Sequence, residues 1–69
     1  MKLRINGEEK DFSEETLTIT QLLALNDVKM PEMVSVEHNS NMCERENFDK
    51  TVVNDGDSVE FLYFMGGGA

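Results

Sequence analysis

Residues 55–69 read Asp55-Gly56-Asp57-Ser58-Val59-Glu60-Phe61-Leu62-Tyr63-Phe64-Met65-Gly66-Gly67-Gly68-Ala69. Asp-Gly-Asp is turn chemistry, and the valine and aromatic residues that follow suit a pleated, half-buried surface, so Ser58 to Phe64 is predicted as a strand. Glycine buries no side chain and loses the most chain entropy on ordering, so Gly66, Gly67 and Gly68 do not build a core. A strand that runs into glycines without a polar linker presents a firm base with a slender tip, narrow enough to enter another protein's active site. Short terminal glycine runs also occur as slack; the position of this one, directly after a strand, argues for use.

The rest of the chain supplies what such a strand needs as neighbours. Lys2-Leu3-Arg4-Ile5 alternates polar and apolar, and Asn6-Gly7 is the strongest short hairpin signal, because both residues accept positive φ. Glu8 to Phe12 is the return strand, with Phe12 its apolar anchor. Ser13 to Leu17 reads as polar connection apart from Leu17. Thr18 with Gln21 three residues on forms a capping box, Leu17 and Leu22 can staple the entry, and Ile19, Leu22 and Leu23 lie on one face of a two-turn helix that stops near Asn26. So short a helix needs a sheet to pack on. After a loop at Asp27 to Pro31, Met33 to Glu37 alternates with Val34 and Val36 inward. His38-Asn39-Ser40-Asn41 is turn chemistry, Met42-Cys43 begins a short return strand, Glu44 to Lys50 holds a helical turn around Phe48, and Thr51-Val52-Val53 links to the final turn.

Sixty-nine residues make one domain with a marginal core and no room for a deep substrate pocket. The net charge of −8, from 14 acidic and 6 basic side chains, argues against nucleic acid and anionic membranes and favours a basic protein surface as partner. No apolar stretch approaches the roughly 18 residues of a membrane span. The lack of a secretory signal and the single Cys43 favour the cytoplasm. His38 is the only histidine and has no Cys/His cluster around it, so it reads as a turn or strand-end residue and not a metal ligand. Cys43 reads as a small buried hydrophobe. The glycines Gly66 to Gly68 lack the helix and the Lys-Ser/Thr of a phosphate loop. No acid/base pair, nucleophile triad or metal cluster marks an enzyme.

Four features together resemble the small sulfur carriers of the ThiS/MoaD type, closest to the ThiS branch. They are the Asn6-Gly7 hairpin, the capped segment Thr18-Ile19-Thr20-Gln21-Leu22-Leu23, Val34-Ser35-Val36-Glu37-His38-Asn39 followed by Arg45 and Phe48, and Asp55-Gly56-Asp57 leading to Val59-Glu60-Phe61 and the glycines. The resemblance implies an α+β, ubiquitin-like β-grasp domain over residues 1–65: a mixed sheet of about five strands, first and last strands parallel at its centre, one main helix across one face. Residues 66–69 would be a flexible tail. It further implies a carrier and not an enzyme. An E1-like enzyme using ATP and magnesium would adenylate the Gly68 carboxyl, the chain itself binding no cofactor. A persulfide would displace AMP and leave a thiocarboxylate. The receiver would be thiazole synthase, for thiamine, or a homocysteine-forming enzyme.

Gly67-Gly68 matches the family's terminal pair, which leaves Ala69 one residue too many. Either a JAMM-type metalloprotease removes it, or it is tolerated there. Leu62, Phe64 and Met65 are the expected partner-binding residues, since Val59, Phe61 and Tyr63 share the face turned to the helix and Leu62 and Phe64 the other. Two other classes stay open: a ubiquitin-like modifier passing Gly68 to a lysine, and a non-catalytic interaction module.

Overall fold

The computed structural model describes residues 1–26, 28 and 33–63. Among the described residues seven strands and one α-helix follow in order: β1 (Lys2–Ile5), β2 (Glu8–Asp11), β3 (Leu17–Thr18), α1 (Ile19–Leu25), β4 (Val34–His38), β5 (Asn41–Cys43), a 3₁₀ turn (Arg45–Asn47), β6 (Val52–Val53) and β7 (Ser58–Tyr63). Five strands form one sheet in the order β2-β1-β7-β4-β5, and β3 and β6 form a small second pair. β7 lies at the centre. It runs parallel to β1 at Arg4↔Ser58 and Ile5↔Val59, and antiparallel to β4 from Val34↔Tyr63 to His38↔Val59.

Turn chemistry sets both hairpins. Asn6 and Gly7 have φ of 51° and 86°, and Asn39 and Ser40 have φ of 51° and 72°. Two successive positive φ values make the tight turn whose twist matches its strands. Gly56, at φ 90°, turns the chain into β7, where a Cβ would be strained.

The capping box on α1 is complete: the Gln21 amide donates to Thr18 Oγ1 at 3.2 Å, and the Thr18 amide donates to Gln21 Oε1 at 2.9 Å. At the other end the Asn26 side-chain amide donates to the Leu22 carbonyl at 2.8 Å. The helix places Ile19, Leu22 and Leu23 on the sheet. They share one core with Leu3, Ile5, Leu17, Val34, Val36, Phe48, Val53, Val59 and Phe61, all buried. Alternation therefore works as read in β1, β4 and the first half of β7, with odd or even positions going inward as a set.

Four details differ from the sequence reading. Thr51–Val53 is not a plain link, because Val52 and Val53 pair with Thr18 and Leu17; two-residue strands carry no periodicity of their own and form where tertiary packing brings them together. Leu17 is accordingly strand as well as staple. The return strand β2 ends at Asp11, outside which Phe12 packs against the core. Tyr63 shares a parity with Phe61 yet is 54% exposed, because the core ends before it.

Candidate functional site

The site is built on the end of β7. Its last described residue, Tyr63, sits opposite Val34, where β4 begins. Phe64, Met65, Gly66, Gly67, Gly68 and Ala69 lie outside the described residues. Leu62 points away from the helix and is 41% exposed. Across the open face of the sheet its partner on β4 is Ser35, and the next row holds Glu60, Glu37 and Met42 side by side. Met42 is 55% exposed. The open face therefore offers two apolar side chains beside two carboxylates. Glu37 and Glu60 stand directly opposite one another, an arrangement that is unfavourable within a sheet by itself.

Asparagines fasten β7 from both flanks. The Asn6 amide donates to the Val59 carbonyl at 3.0 Å, and Asn6 Oδ1 accepts the Phe61 amide at 2.8 Å. The Asn39 amide donates to the Ser58 carbonyl at 2.7 Å, and Asn39 Oδ1 accepts the Ser58 amide at 2.9 Å. Sequence reasoning saw both residues only as turn formers.

A second feature unseen in the sequence ties β4 to the turn before β7. His38 Nε2 lies 2.7 Å from Asp57 Oδ2, and both side chains are largely buried, at 20% and 18% exposure. The Asn54 amide donates to the same oxygen at 2.9 Å. Partial burial pushes the Asp57 carboxyl up, but hydrogen bonds from His38, the Asn54 amide and the Asn39 side chain, with the His38 charge when protonated, outweigh it and hold the carboxyl below its ordinary value of 3.8. His38 is thus a strand-end residue with a structural partner. Cys43 packs against the core with its thiol 3.4 Å from Thr51 Oγ1, which fits a small half-buried hydrophobe. Among the described residues no three His, Cys, Asp or Glu side chains converge as a metal site, and no helix is long and apolar enough to cross a membrane.

Parallel first and last described strands at the centre of a five-stranded mixed sheet, with one capped helix packed on a single face, define a ubiquitin-like β-grasp domain. The sequence matches the ThiS family over residues 3–68, and the chain belongs to that family of sulfur carriers. The crystal structure of the thiamine biosynthesis protein ThiS from Geobacter metallireducens is similar at 51% identity, covering 99% of this chain and 100% of that one with a TM-score of 0.89. The sulfur carrier protein ThiS of Bacillus subtilis is 32% identical over 66 residues, 96% of this chain and 98% of that protein. A thiazole synthase of Paramagnetospirillum magneticum is 41% identical over 69 residues, which is all of this chain but 21% of that longer protein.

Proposed function

We propose that the chain carries sulfur to a thiazole synthase for thiamine biosynthesis, with the Gly68 carboxyl as the carrying group. The observation that carries this reading is the family match, which runs through Gly67-Gly68 and closes one residue before Ala69. Two thiazole synthases contain a segment matching 100% and 99% of this chain within proteins of which it makes up 21% and 20%. Carrier and acceptor joined in one chain favour thiazole formation over the homocysteine route.

The chemistry follows from the poor reactivity of a carboxylate. Its charge repels nucleophiles and its leaving group is an oxide. Transfer to AMP, with pyrophosphate leaving ATP on an E1-like enzyme and magnesium as its counter-ion, supplies a good leaving group. A persulfide sulfur then attacks the carbonyl and AMP departs. Cleavage of the resulting S–S bond by a thiol leaves a thiocarboxylate on Gly68 and a disulfide on the donor. No catalytic base is needed in the carrier itself. With Ala69 attached, the Gly68 carbonyl is an amide and is closed to this sequence, so a peptidase of the JAMM type has to act first. The open sheet face around Leu62 docks the activating enzyme: an apolar contact at Leu62 and a basic side chain between Glu37 and Glu60 would relieve their mutual repulsion.

The test is intact-mass analysis of two chains, one ending at Gly68 and one ending at Ala69. Each is incubated with the activating enzyme, ATP, magnesium and a persulfide donor. The chain ending at Gly68 gains the mass difference of sulfur for oxygen, and the chain ending at Ala69 stays unmodified. Modification of neither chain refutes the reading, and a lysine isopeptide in place of the thiocarboxylate replaces it with the modifier reading.

A further inference from the structure

On its β1 side, β7 loses its strand partner just where it heads for the proposed reactive end. The last parallel pair is Ile5↔Val59, after which β1 turns away at Asn6-Gly7. In a continued parallel ladder the Phe61 amide would bond to the backbone carbonyl of residue 6. Positive φ at Asn6 swings that carbonyl out of reach, and the Asn6 side-chain carbonyl takes its place at 2.8 Å in a part-buried setting. Asn39 makes the same substitution on the other flank, but at Ser58, the opposite end of the strand. Without Asn6, residues 60–63 would be held from the β4 side alone.

We propose that Asn6 is a positioning residue for the carrier's proposed reactive end: its side chain, not the turn it also forms, fixes the course of β7 from Phe61 to its last described residue, Tyr63. The proposal rests on the carrier reading for its consequence and on hydrogen-bond geometry for its cause. Few residue types meet both demands. Asparagine and aspartate tolerate positive φ and carry an acceptor two bonds beyond Cβ, whereas glycine meets only the first. Gln would carry the acceptor too far out.

Three variants separate the side-chain bond from the turn and from general stability. Asn6→Gly keeps the turn and loses the acceptor, Asn6→Asp keeps both, and Asn39→Gly loses the equivalent bond at the end of β7 remote from the tail. Amide exchange is followed residue by residue in the free chain ending at Gly68, and the same chains are loaded by the activating enzyme. In Asn6→Gly the Phe61 amide exchanges about five- to tenfold faster, as expected for one lost hydrogen bond, while the Leu22 and Leu23 amides of α1 keep their rates. Loading kcat/KM falls by a similar factor. Asn6→Asp restores both, and Asn39→Gly leaves loading intact.

Unchanged Phe61 exchange in Asn6→Gly overturns the proposal, as does an equal rise at Phe61, Leu22 and Leu23. So does a loss of loading in Asn39→Gly as large as in Asn6→Gly, which would assign the effect to stability. If the wild-type chain is not loaded at all, the carrier reading falls, and the exchange contrast alone decides whether Asn6 sets the end of β7.

Discussion

The His38–Asp57 contact gives the fold a pH dependence whose sign and window follow from the structure. Asp57 Oδ2 receives two hydrogen bonds, from His38 at 2.7 Å and from the Asn54 amide at 2.9 Å, in a setting where its side chain is 18% exposed. Replacing Asp57→Asn removes the charge but keeps the shape and one acceptor oxygen. Hydrogen bonds to a charged group contribute roughly 1.5–3 kcal/mol and neutral ones roughly 1, so the variant loses about 0.5–2 kcal/mol at pH 7. For a domain this small that lowers Tm by about 2–16 °C. The folded carboxyl titrates below 3.8, so near that pH the unfolded chain binds more protons than the folded one. The contribution is fully present above the unfolded value of about 3.9 and is lost as pH falls through the lower folded value. Urea unfolding of both chains at a series of pH values between about 5 and 2.5 checks this, and the gap between wild type and Asp57→Asn narrows below about pH 4. A gap of the same size at both ends of the series refutes the reasoning, because it would mean that shape and not charge holds the turn to β4.

Three further outcomes are expected. Thr18→Ala breaks the capping box and lowers unfolding stability by about 1 kcal/mol in urea; a loss of nothing measurable would mean that packing alone starts the helix. Val53→Ala empties part of a fully buried site between β6 and β3 and costs roughly 2 kcal/mol, whereas a residue in a mere surface link would cost almost nothing. Leu62→Ala, at a 41% exposed site, changes stability by less than about 0.5–1 kcal/mol while raising KM for activation several-fold; loss of folding with no separate binding defect would return Leu62 to the core.

What the sequence made legible was what local chemistry decides. Asn6-Gly7 needs only two residues able to take positive φ, Thr18 and Gln21 need only a spacing of three, and Val34 and Val36 need only alternation. The features that escaped depend on distant parts of the chain. Val52 and Val53 become a strand because Leu17 and Thr18 lie beside them. His38 and Asp57 meet across 19 residues with no motif between them. Asn6 and Asn39 were hidden by their own local signal: each accounts fully for a turn, so nothing in the sequence shows that its side chain also reaches β7. Exposure at Tyr63 was misread because parity gives the face of a strand but not the point where the core ends. For the proposed carrying end the chemistry is what the family resemblance implies, and Gly66 to Ala69 lie outside the described residues.

Placing the strand that leads to the proposed reactive end at the centre of the sheet has a mechanical reason. An edge strand is held on one flank and opens readily; β7 is bonded to β1 and β4, and where β1 ends Asn6 takes over. A carrier presented to successive partners needs a short reach from a fixed base, since every freely rotating residue between base and reacting atom adds ordering cost on docking. From Tyr63 to Gly68 the chain advances five residues, which span at most about 18 Å in any conformation. A partner that engages Gly68 must therefore bring its own surface within that distance of the end of β7. On the open face this is where Leu62 and Ser35 lie, with Glu60 and Glu37 in the next row. On the proposed carrier reading, recognition and reaction are thus confined to one end of the sheet by chain geometry. Lengthening the segment between Tyr63 and Gly66 would separate the two: docking would survive and loading would fall.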